Sequence, residues 1–402
     1  MKLLVIGMYI FQILVSLGLS KLNDSNLKKP LPESVKDLYS KEKYEKFLAY
    51  KAENRKVSRI SMFFSFILTM VFLGFNLHAK IYALLPFNIY LNNFILVMLI
   101  SLIELPIEII ADYYRTFTIE EKYGFNKMTV KTFIIDQIKN ILLTTVLMLV
   151  IVVLLIYFYS RFANVGMVIL FGIAMIFILL INLFSIYVLR IFNKFVPLEE
   201  GELKDKITDL CQNNGLIVKS IVVMDASTRT TRANAFCTGI TNKKDISLDD
   251  NLINLMEEDE ILAVFSHEVG HAHYNHMIKQ LFVGLLQFVV YFVVIAFLLN
   301  FDIYTSFGFK EMNYAFMFEV FPILVYPISF VYELISNAFS RRCEKQADLF
   351  AYKLGYGDAL IRALKKLGTS DLMNLNPHPW VVKVEYSHPP LASRIDTLQK
   401  GE

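Results

Sequence analysis

Two histidines and a glutamate form the most chemically informative pattern in the chain. His267, Glu268 and His271 lie in the pentamer HEVGH. The segment around it, EDEILAVFSHEVGHAHYNH (258–276), has apolar residues at helical spacing and no proline, which predicts a helix. Residues four apart share one helix face, so both imidazoles can bind a single zinc ion. Glu268 would lie beside the metal as a proton acceptor for water, and the pattern therefore predicts metal-assisted hydrolysis.

A catalytic zinc site needs a third protein ligand, and its identity separates the classes of zinc peptidase. The metzincin pattern requires a glycine at 274 and a histidine at 277, whereas this chain has Tyr274 and Met277. That class is excluded. His273 and His276 point about 160° and about 140° away from His271 on a helix. We expect both to be capping or surface histidines.

Glu344 is the better third ligand. It lies in SNAFSRRCEKQADLFAYKLG (336–355), a second predicted helix. A His₂Glu set leaves the fourth zinc position for water, as in catalytic sites, and predicts one zinc ion per chain. Asp348, one turn later, is expected to accept a hydrogen bond from a histidine ligand or to assist proton transfer. The alternative is that both carboxylates lie on the surface and pair with neighbouring arginine and lysine residues.

The composition predicts that these residues are held by an integral membrane protein. Of 402 residues, 55% are hydrophobic and only 19% are charged, far more apolar than a soluble domain. The net charge of +3 gives no reason to expect nucleic acid as a partner. The first apolar stretch lacks a small-residue cleavage site, so we expect a retained helix rather than a signal peptide. Seven stretches are long enough to cross a bilayer: 3–19, 60–78, 87–110, 133–159, 166–192, 280–301 and 313–335.

The connecting segments predict the orientation, because cytoplasmic loops are enriched in lysine and arginine. In chain order, the connecting segments hold 11, 1, 4, 1, 9, 1 and 10 basic residues. This places the N-terminus outside and the C-terminus in the cytoplasm. We expect residues 1–192 to form five spans, and 193–279 and 336–402 to fold together as the zinc-peptidase domain. The transmembrane hairpin 280–335 would separate the two parts of that domain.

Three carboxylates recur every four residues in the third span: Glu104, Glu108 and Asp112. They would line one face of a helix. Either they mark the polar end of the span, which we favour for Asp112, or they face a water-filled interior. Composition leaves both alternatives open for Glu104 and Glu108.

Several further segments carry a family resemblance. They are IEEKYGFNK (119–127), FNKFVPLEEGELK (192–204), NAF with a downstream glycine (234–239), EDEILAVFSHEVGH (258–271), NAFSRRCEKQAD (337–348) and SHPPLASRI (387–395). In these segments, in their order and in its seven spans, the chain resembles the type I CAAX prenyl endopeptidases, the a-factor-converting membrane zinc peptidases.

The resemblance implies an all-α polytopic membrane protein. Seven transmembrane helices would enclose an intramembrane chamber, capped on the cytoplasmic side by an α+β zinc-peptidase domain of zincin type. Glu104 and Glu108 would then line a wet cavity.

The resemblance also implies roles for individual residues. Asn234 and Ala235 would belong to an edge strand that pairs with the substrate backbone. His388 and Arg394 would stabilise the oxyanion near the zinc, and Asp348 would be the proton donor. Members often carry a histidine shortly before the Asn-Ala pair, whereas this chain has Arg232, so the family's substrate contacts do not carry over there.

The implied reaction is removal of a C-terminal tripeptide after a prenylated cysteine, as in eukaryotic members. Many bacteria with relatives make no such substrate, so a quality-control peptidase acting on unmodified membrane proteins is the alternative. A third hypothesis is a transporter or receptor with a structural zinc. We expect a peptide or prenylated-peptide substrate, a monomeric chain, and a location in the endoplasmic reticulum membrane of a eukaryote or the inner membrane of a bacterium.

Overall fold

The fold is mostly helical, with one small sheet. A computed structural model describes residues 1–183, 188–239 and 242–401. The helices are α1 (Lys2–Asn26), α2 (Lys41–Gly74), α3 (Leu77–Ala83), α4 (Ile89–Tyr114), α5 (Glu121–Tyr123), α6 (Val130–Leu183), α7 (Glu202–Asn213), α8 (Asp250–Leu255), α9 (Glu258–His273), α10 (His276–Leu298), α11 (Tyr314–Ala351), α12 (Gly357–Ser370), α13 (Pro379–Glu385) and α14 (Leu391–Lys400). The strands are β1 (Phe195–Pro197), β2 (Ile217–Met224), β3 (Ala235–Thr238) and β4 (Lys243–Asp249).

Six helical segments in the described part of the chain are long and apolar enough to cross a bilayer. They confirm six of the seven predicted spans and a multi-pass membrane protein. The fifth predicted span, 166–192, coincides with a shorter apolar helix, Val165–Ile181, and its residues 184–187 lie outside the described residues. That helix follows a break at Ala163, where φ is +47°. Large apolar side chains on these helices are exposed, as a lipid-facing surface requires.

The acidic residues of the third span have different surroundings. Asp112 lies at the end of α4 and pairs with Arg115 at 3.0 Å, which fits the polar end of a span. Glu104 lines a cavity of about 260 Å³ between the membrane helices, together with Glu319 and His78.

A four-stranded sheet supports the helix that carries the HEVGH motif. Its order is β1-β2-β4-β3, with β2 and β4 parallel and the other neighbours antiparallel. Leu248 of β4 and Phe265 of α9 are buried in one core with Ile207 of α7. Within the described residues β3 pairs only with β4, so its outer edge remains open.

Local hydrogen bonds fix the residue at which α9 begins. α9 begins with a capping box formed by Glu257 and Glu260, and buried Glu260 also accepts a hydrogen bond from Lys366 at 2.6 Å.

α11 runs unbroken for 38 residues, so the seventh predicted span and the predicted helix at 336–355 largely merge into one element. At 1.5 Å per residue it is about 57 Å long, longer than the roughly 30 Å hydrocarbon core. Its C-terminal part, with Glu344 and Asp348, must therefore project beyond the membrane.

Gly270 lets α9 and α11 approach each other closely. A Cβ atom at Gly270 would lie 3.0 Å from Phe350 Cβ and 3.1 Å from Ala347 Cα. The second contact is with backbone, which cannot rotate away. The two helices that carry the predicted metal ligands are thus held together at a glycine within the motif itself.

Substituting Gly270→Val should lower the free energy of unfolding by about 1–3 kcal/mol, because the added carbons overpack a tight helix contact. Thermal unfolding of the purified protein in detergent measures the effect. Gly284→Val is the matched control, since a Cβ at Gly284 meets nothing within 4 Å. An equal loss of stability in both variants would contradict the packing argument.

Candidate metal centre

The three predicted metal ligands converge at the contact between α9 and α11. Nε2 of His267 and Nε2 of His271 lie 3.0 Å apart. Glu344 Oε2 lies 3.5 Å from His267 Nε2, and Glu344 Oε1 lies 3.3 Å from His271 Nε2. One donor atom from each residue falls within 4.8 Å of the others, as needed for a shared ion.

The chemistry of this group fits a divalent metal ion. Glu344 is 4% exposed, and its Oε2 accepts no hydrogen bond from any described residue. A buried acceptor without a partner costs about 1–3 kcal/mol. A cation between the carboxylate and the two imidazoles would remove that cost. Two nitrogen donors and one carboxylate form the donor set of open, catalytic zinc sites.

His267 is oriented by a buried ion pair behind it. Its Nδ1 lies 2.9 Å from Asp348 Oδ1, and Arg394 donates hydrogen bonds to both oxygens of Asp348, at 2.6 and 2.9 Å. A proton on Nδ1 that is donated to Asp348 leaves Nε2 to face the other ligands. Asp348 is 1% exposed, and the arrangement fits the predicted hydrogen-bond acceptor.

The pKa values follow from this pairing. Burial alone would raise the pKa of Asp348, but the positive charge of Arg394 and the hydrogen bond from His267 lower it to about 2. Burial would lower the pKa of His267, yet the neighbouring carboxylates of Asp348 and Glu344 outweigh burial and raise that pKa to about 9. The two imidazoles hold the pKa of Glu344 well below its usual range, against the effect of burial. A metal ion that binds here must displace a proton from His267.

His276 orients the second imidazole. Its Nδ1 lies 3.1 Å from Nδ1 of His271, and its Nε2 lies 3.0 Å from Gln346 Oε1. If His276 donates from Nε2 to Gln346, its Nδ1 can accept from His271 Nδ1, and His271 Nε2 again faces the ligand group. In their neutral forms His271 and His267 would then share one tautomer, although different partners contact their Nδ1 atoms.

The expectation that His276 is a capping or surface residue was wrong, since it is 1% exposed. Helical geometry does not continue to it: Asn275 adopts a left-handed conformation, φ +55°, between α9 and α10. That turn directs His276 back toward His271. Asparagine is enriched in this conformation, so Asn275 was the sequence signal that could have revealed the contact. His273, by contrast, is exposed beside the Phe350 ring.

Glu268 faces the open side of the site. It forms no hydrogen bond or ion pair with any residue that the structure describes, and it lines a small pocket with Cys237 of β3. Burial and the charge of Glu268 raise the pKa of the Cys237 thiol to about 12. The carboxylate therefore lies beside the edge strand and is available to water.

The predicted substrate-binding residues lie at the start of the same strand. Ala235 is the first residue of β3 and is paired with Leu248. Asn234 immediately precedes β3, is exposed, and accepts a backbone hydrogen bond from Asp249.

His388 and Arg394 occupy different positions around the ligands. His388 Nε2 lies 3.4 Å from Glu344 Oε1, and its side chain is 62% exposed. Ser387 Oγ lies 3.0 Å from His388 Nδ1. Arg394, in contrast, is buried behind His267 and engages Asp348.

Comparison with known proteins adds an independent result. Residues 197–402 match the model of peptidase family M48, and residues 22–194 match the CAAX prenyl protease N-terminal model, described as five membrane helices. CAAX prenyl protease 1 of Saccharomyces cerevisiae is 31% identical, over 92% of this chain and 88% of the relative. The Arabidopsis thaliana homolog is 34% identical, over 98% of this chain and 95% of the relative.

A solved structure is similar over nearly the whole chain. The crystal structure of S. mikatae Ste24p superposes with a TM-score of 0.92 at 29% sequence identity, covering 99% of this chain and 98% of that one. The fold thus has a counterpart over the membrane helices and the remainder of the described chain together. This chain belongs to peptidase family M48 and, within it, to the CAAX prenyl protease 1 family of membrane metallopeptidases.

Proposed function

We propose that this membrane metallopeptidase removes the C-terminal tripeptide of prenylated, CAAX-type substrates. The observation that carries the proposal is the convergence of His267, His271 and Glu344 beside the half-buried Glu268, on helices that continue into or directly adjoin membrane spans. The relatives named above are CAAX prenyl proteases of eukaryotes, which supports a prenylated substrate and the endoplasmic reticulum membrane.

The proposed cofactor is one zinc ion, held by His267, His271 and Glu344. When bound, zinc lowers the pKa of water and polarises a carbonyl group. Asp348 and His276 contact the Nδ1 atoms of the two imidazoles, so that Nε2 of each would be free to hold the ion. The unpartnered Glu344 Oε2 favours a cation at this position.

Glu268 is the proposed general base. Its free carboxylate accepts a proton from the attacking water and then delivers it to the leaving amine nitrogen. The open edge of β3 binds the substrate backbone, with Asn234 and Ala235 at its start. This mode reads the backbone rather than the side chains of the substrate. His388, exposed and near Glu344, donates a hydrogen bond to the oxyanion.

Asp348 and Arg394 are better suited to positioning than to contact with substrate. Asp348 is 1% exposed and its oxygens face Arg394 and His267, so a role as proton donor requires that pair to open. Arg394 directs two hydrogen bonds at Asp348 rather than at the open side. We assign both residues to the orientation of His267.

The proposed architecture has seven spans around an intramembrane chamber, with the N-terminus outside. The alternation of lysine and arginine between loops supports this orientation. Segments 193–279 and 336–402 then form one zincin-type domain on the cytoplasmic side, and 280–335 forms the hairpin between them. The chain is proposed to act as a monomer, since α9 and α11 of one chain supply all three ligands.

The proposed function predicts that purified protein with zinc cleaves a farnesylated CAAX peptide at least about tenfold faster than the unmodified peptide, because the lipid partitions into the membrane part of the enzyme. Cleavage is measured by mass spectrometry, which also gives the bond that is cut. Equal rates for both peptides would favour a quality-control peptidase for unmodified substrates. Cleavage of neither, in zinc-loaded and folded protein, would contradict the proposal.

Replacing Glu268 by glutamine should lower kcat by at least about a hundredfold, since the amide cannot accept the proton from water. The zinc content should stay at one per chain, because Glu268 is not among the ligands. Glu258→Gln, on an exposed part of α9, is the matched control. Substantial activity in the Glu268→Gln protein would remove this residue from the mechanism.

Two substitutions should lower the zinc affinity to different degrees. Glu344→Ala removes a ligand and should abolish stoichiometric zinc binding, whereas His276→Ala removes the support of His271 and should weaken binding by about 10- to 100-fold. Competition with a chelating dye measures both affinities. Glu199→Ala, exposed and distant from the motif in sequence, serves as control. Native affinity in the Glu344→Ala protein would exclude the proposed ligand set.

A further inference from the structure

A mixed polar and apolar cavity opens directly beside the metal centre. Its volume is about 440 Å³, and His388 is part of its wall. Because His388 Nε2 lies 3.4 Å from Glu344 Oε1, the cavity begins where the substrate's scissile bond would lie. It has the size for a few amino-acid residues.

Two cationic side chains face this cavity with unused hydrogen-bond donors. Arg232 is 44% exposed and uses only Nη2, which donates to Tyr50 and Glu120. Its Nε and Nη1 have no partner among the described residues. Lys51 Nζ likewise forms no hydrogen bond or ion pair within the described ranges, and lies 5.8 Å from the centre of the Tyr50 ring. The two positive charges repel each other, and Glu120 attracts both. An anion that reaches the unused donors would add to that attraction.

The rest of the wall contains apolar and acidic groups. Leu372, Met373, Pro389 and Leu391 contribute apolar surface, which suits aliphatic side chains. Two acids, Asp371 and Glu385, also line the cavity, and burial raises the pKa of both. Asp371 already attracts Arg232, so a bound anion adds to an acid near that end. Arg232 and Lys51 are the lysine and arginine side chains of the wall, and a ligand that carries one negative charge is best placed beside them.

The position of Arg232 in the chain fits the end of a bound peptide. Arg232 precedes Ala235, the first residue of β3, by three residues. A peptide that adds antiparallel to β3 has its C-terminal end beside Arg232. At the other end of β3, the pocket that contains Cys237 and Glu268 is also lined by Met277 and Ile278 of the first turn of the membrane helix α10. A lipid-bearing residue on the N-terminal side of the cut would therefore point toward the membrane.

We propose that Arg232 and Lys51 bind the free C-terminal carboxylate of the substrate, with the aliphatic residues before it in the 440 Å³ cavity. This inference rests on the proposed function and names its specificity determinant. Three extended residues span about 10 Å. Binding of the C-terminal carboxylate by Arg232 and Lys51 would therefore fix how many residues separate it from the scissile bond. Arginine donates to a carboxylate in a charge-assisted hydrogen bond, and a C-terminal amide offers no charge to either side chain.

The test measures binding, so that it does not depend on hydrolysis. A farnesylated CAAX peptide is prepared as the free acid and as the C-terminal amide, and the Kd of each for zinc-loaded Glu268→Gln protein is measured by calorimetry. The acid should bind roughly tenfold more tightly than the amide. Adding Arg232→Gln and Lys51→Gln should bring the ratio to within about twofold of one. Lys28→Gln, on an exposed lysine, should leave the ratio as it was.

A conservative pair of variants separates charge from folding. Arg232→Lys keeps the positive charge and should retain most of the preference for the acid, whereas Arg232→Gln alone should lose part of it. Equal affinity for acid and amide in the Glu268→Gln protein would overturn the carboxylate site, and so would a ratio that survives the double substitution. Failure of the native enzyme to cut either peptide would instead count against the proposed function, whatever the ratio of binding.

Discussion

The close contact between α9 and α11 is the constraint on which the rest of the site depends. Gly270 lies against Ala347 and Phe350, and this distance lets a carboxylate on one helix reach two imidazoles on the other. α11 continues from the membrane, while α9 is joined to the membrane helix α10 by the turn at Asn275. The position of Glu344 is therefore set by the packing of the membrane helices as well as by the small domain. The candidate metal site is therefore built into the membrane fold and is not a separate module.

Electrostatic pairing behind the ligands explains how so many ionisable groups are tolerated at low exposure. Asp348 is satisfied by Arg394 and His267, and His276 connects His271 to Gln346. Buried polar groups need such partners, because an isolated one costs about 1–3 kcal/mol, about twice the net gain of a typical hydrogen bond. The exception is Glu344 Oε2, which lacks a hydrogen-bond partner among the described residues. This oxygen, the one atom of the described hydrogen-bond network around the site that lacks a partner, lies on the carboxylate that faces the two imidazoles.

The sequence predicted six of the long apolar helices and the shared face of His267 and His271, because both depend on strong local patterns. Apolar length specifies a membrane helix, and an i, i+4 histidine pair specifies a shared face. The partners of the ligands depend on other information. His276 reaches His271 only because Asn275 breaks the helical geometry. Arg394 lies 46 residues after Asp348 and reaches it only because α14 docks against α11. The sheet order that leaves β3 at an edge also results from tertiary pairing, which periodicity alone does not determine.

The side chains around the candidate site are buried on one side and exposed on the other, and this defines a closed side and an open side. Asp348 is 1% exposed, Glu344 is 4% exposed, and the side chain of His388 is 62% exposed. The side of the ligands that is closed by Asp348 and Arg394 has no room for a substrate. The other side has the free Glu268, the open edge of β3 and the cavity that His388 lines. Among the described residues this other side is the one open to a peptide, and under the proposed function the direction in which the peptide lies along β3 decides which of its ends meets Arg232.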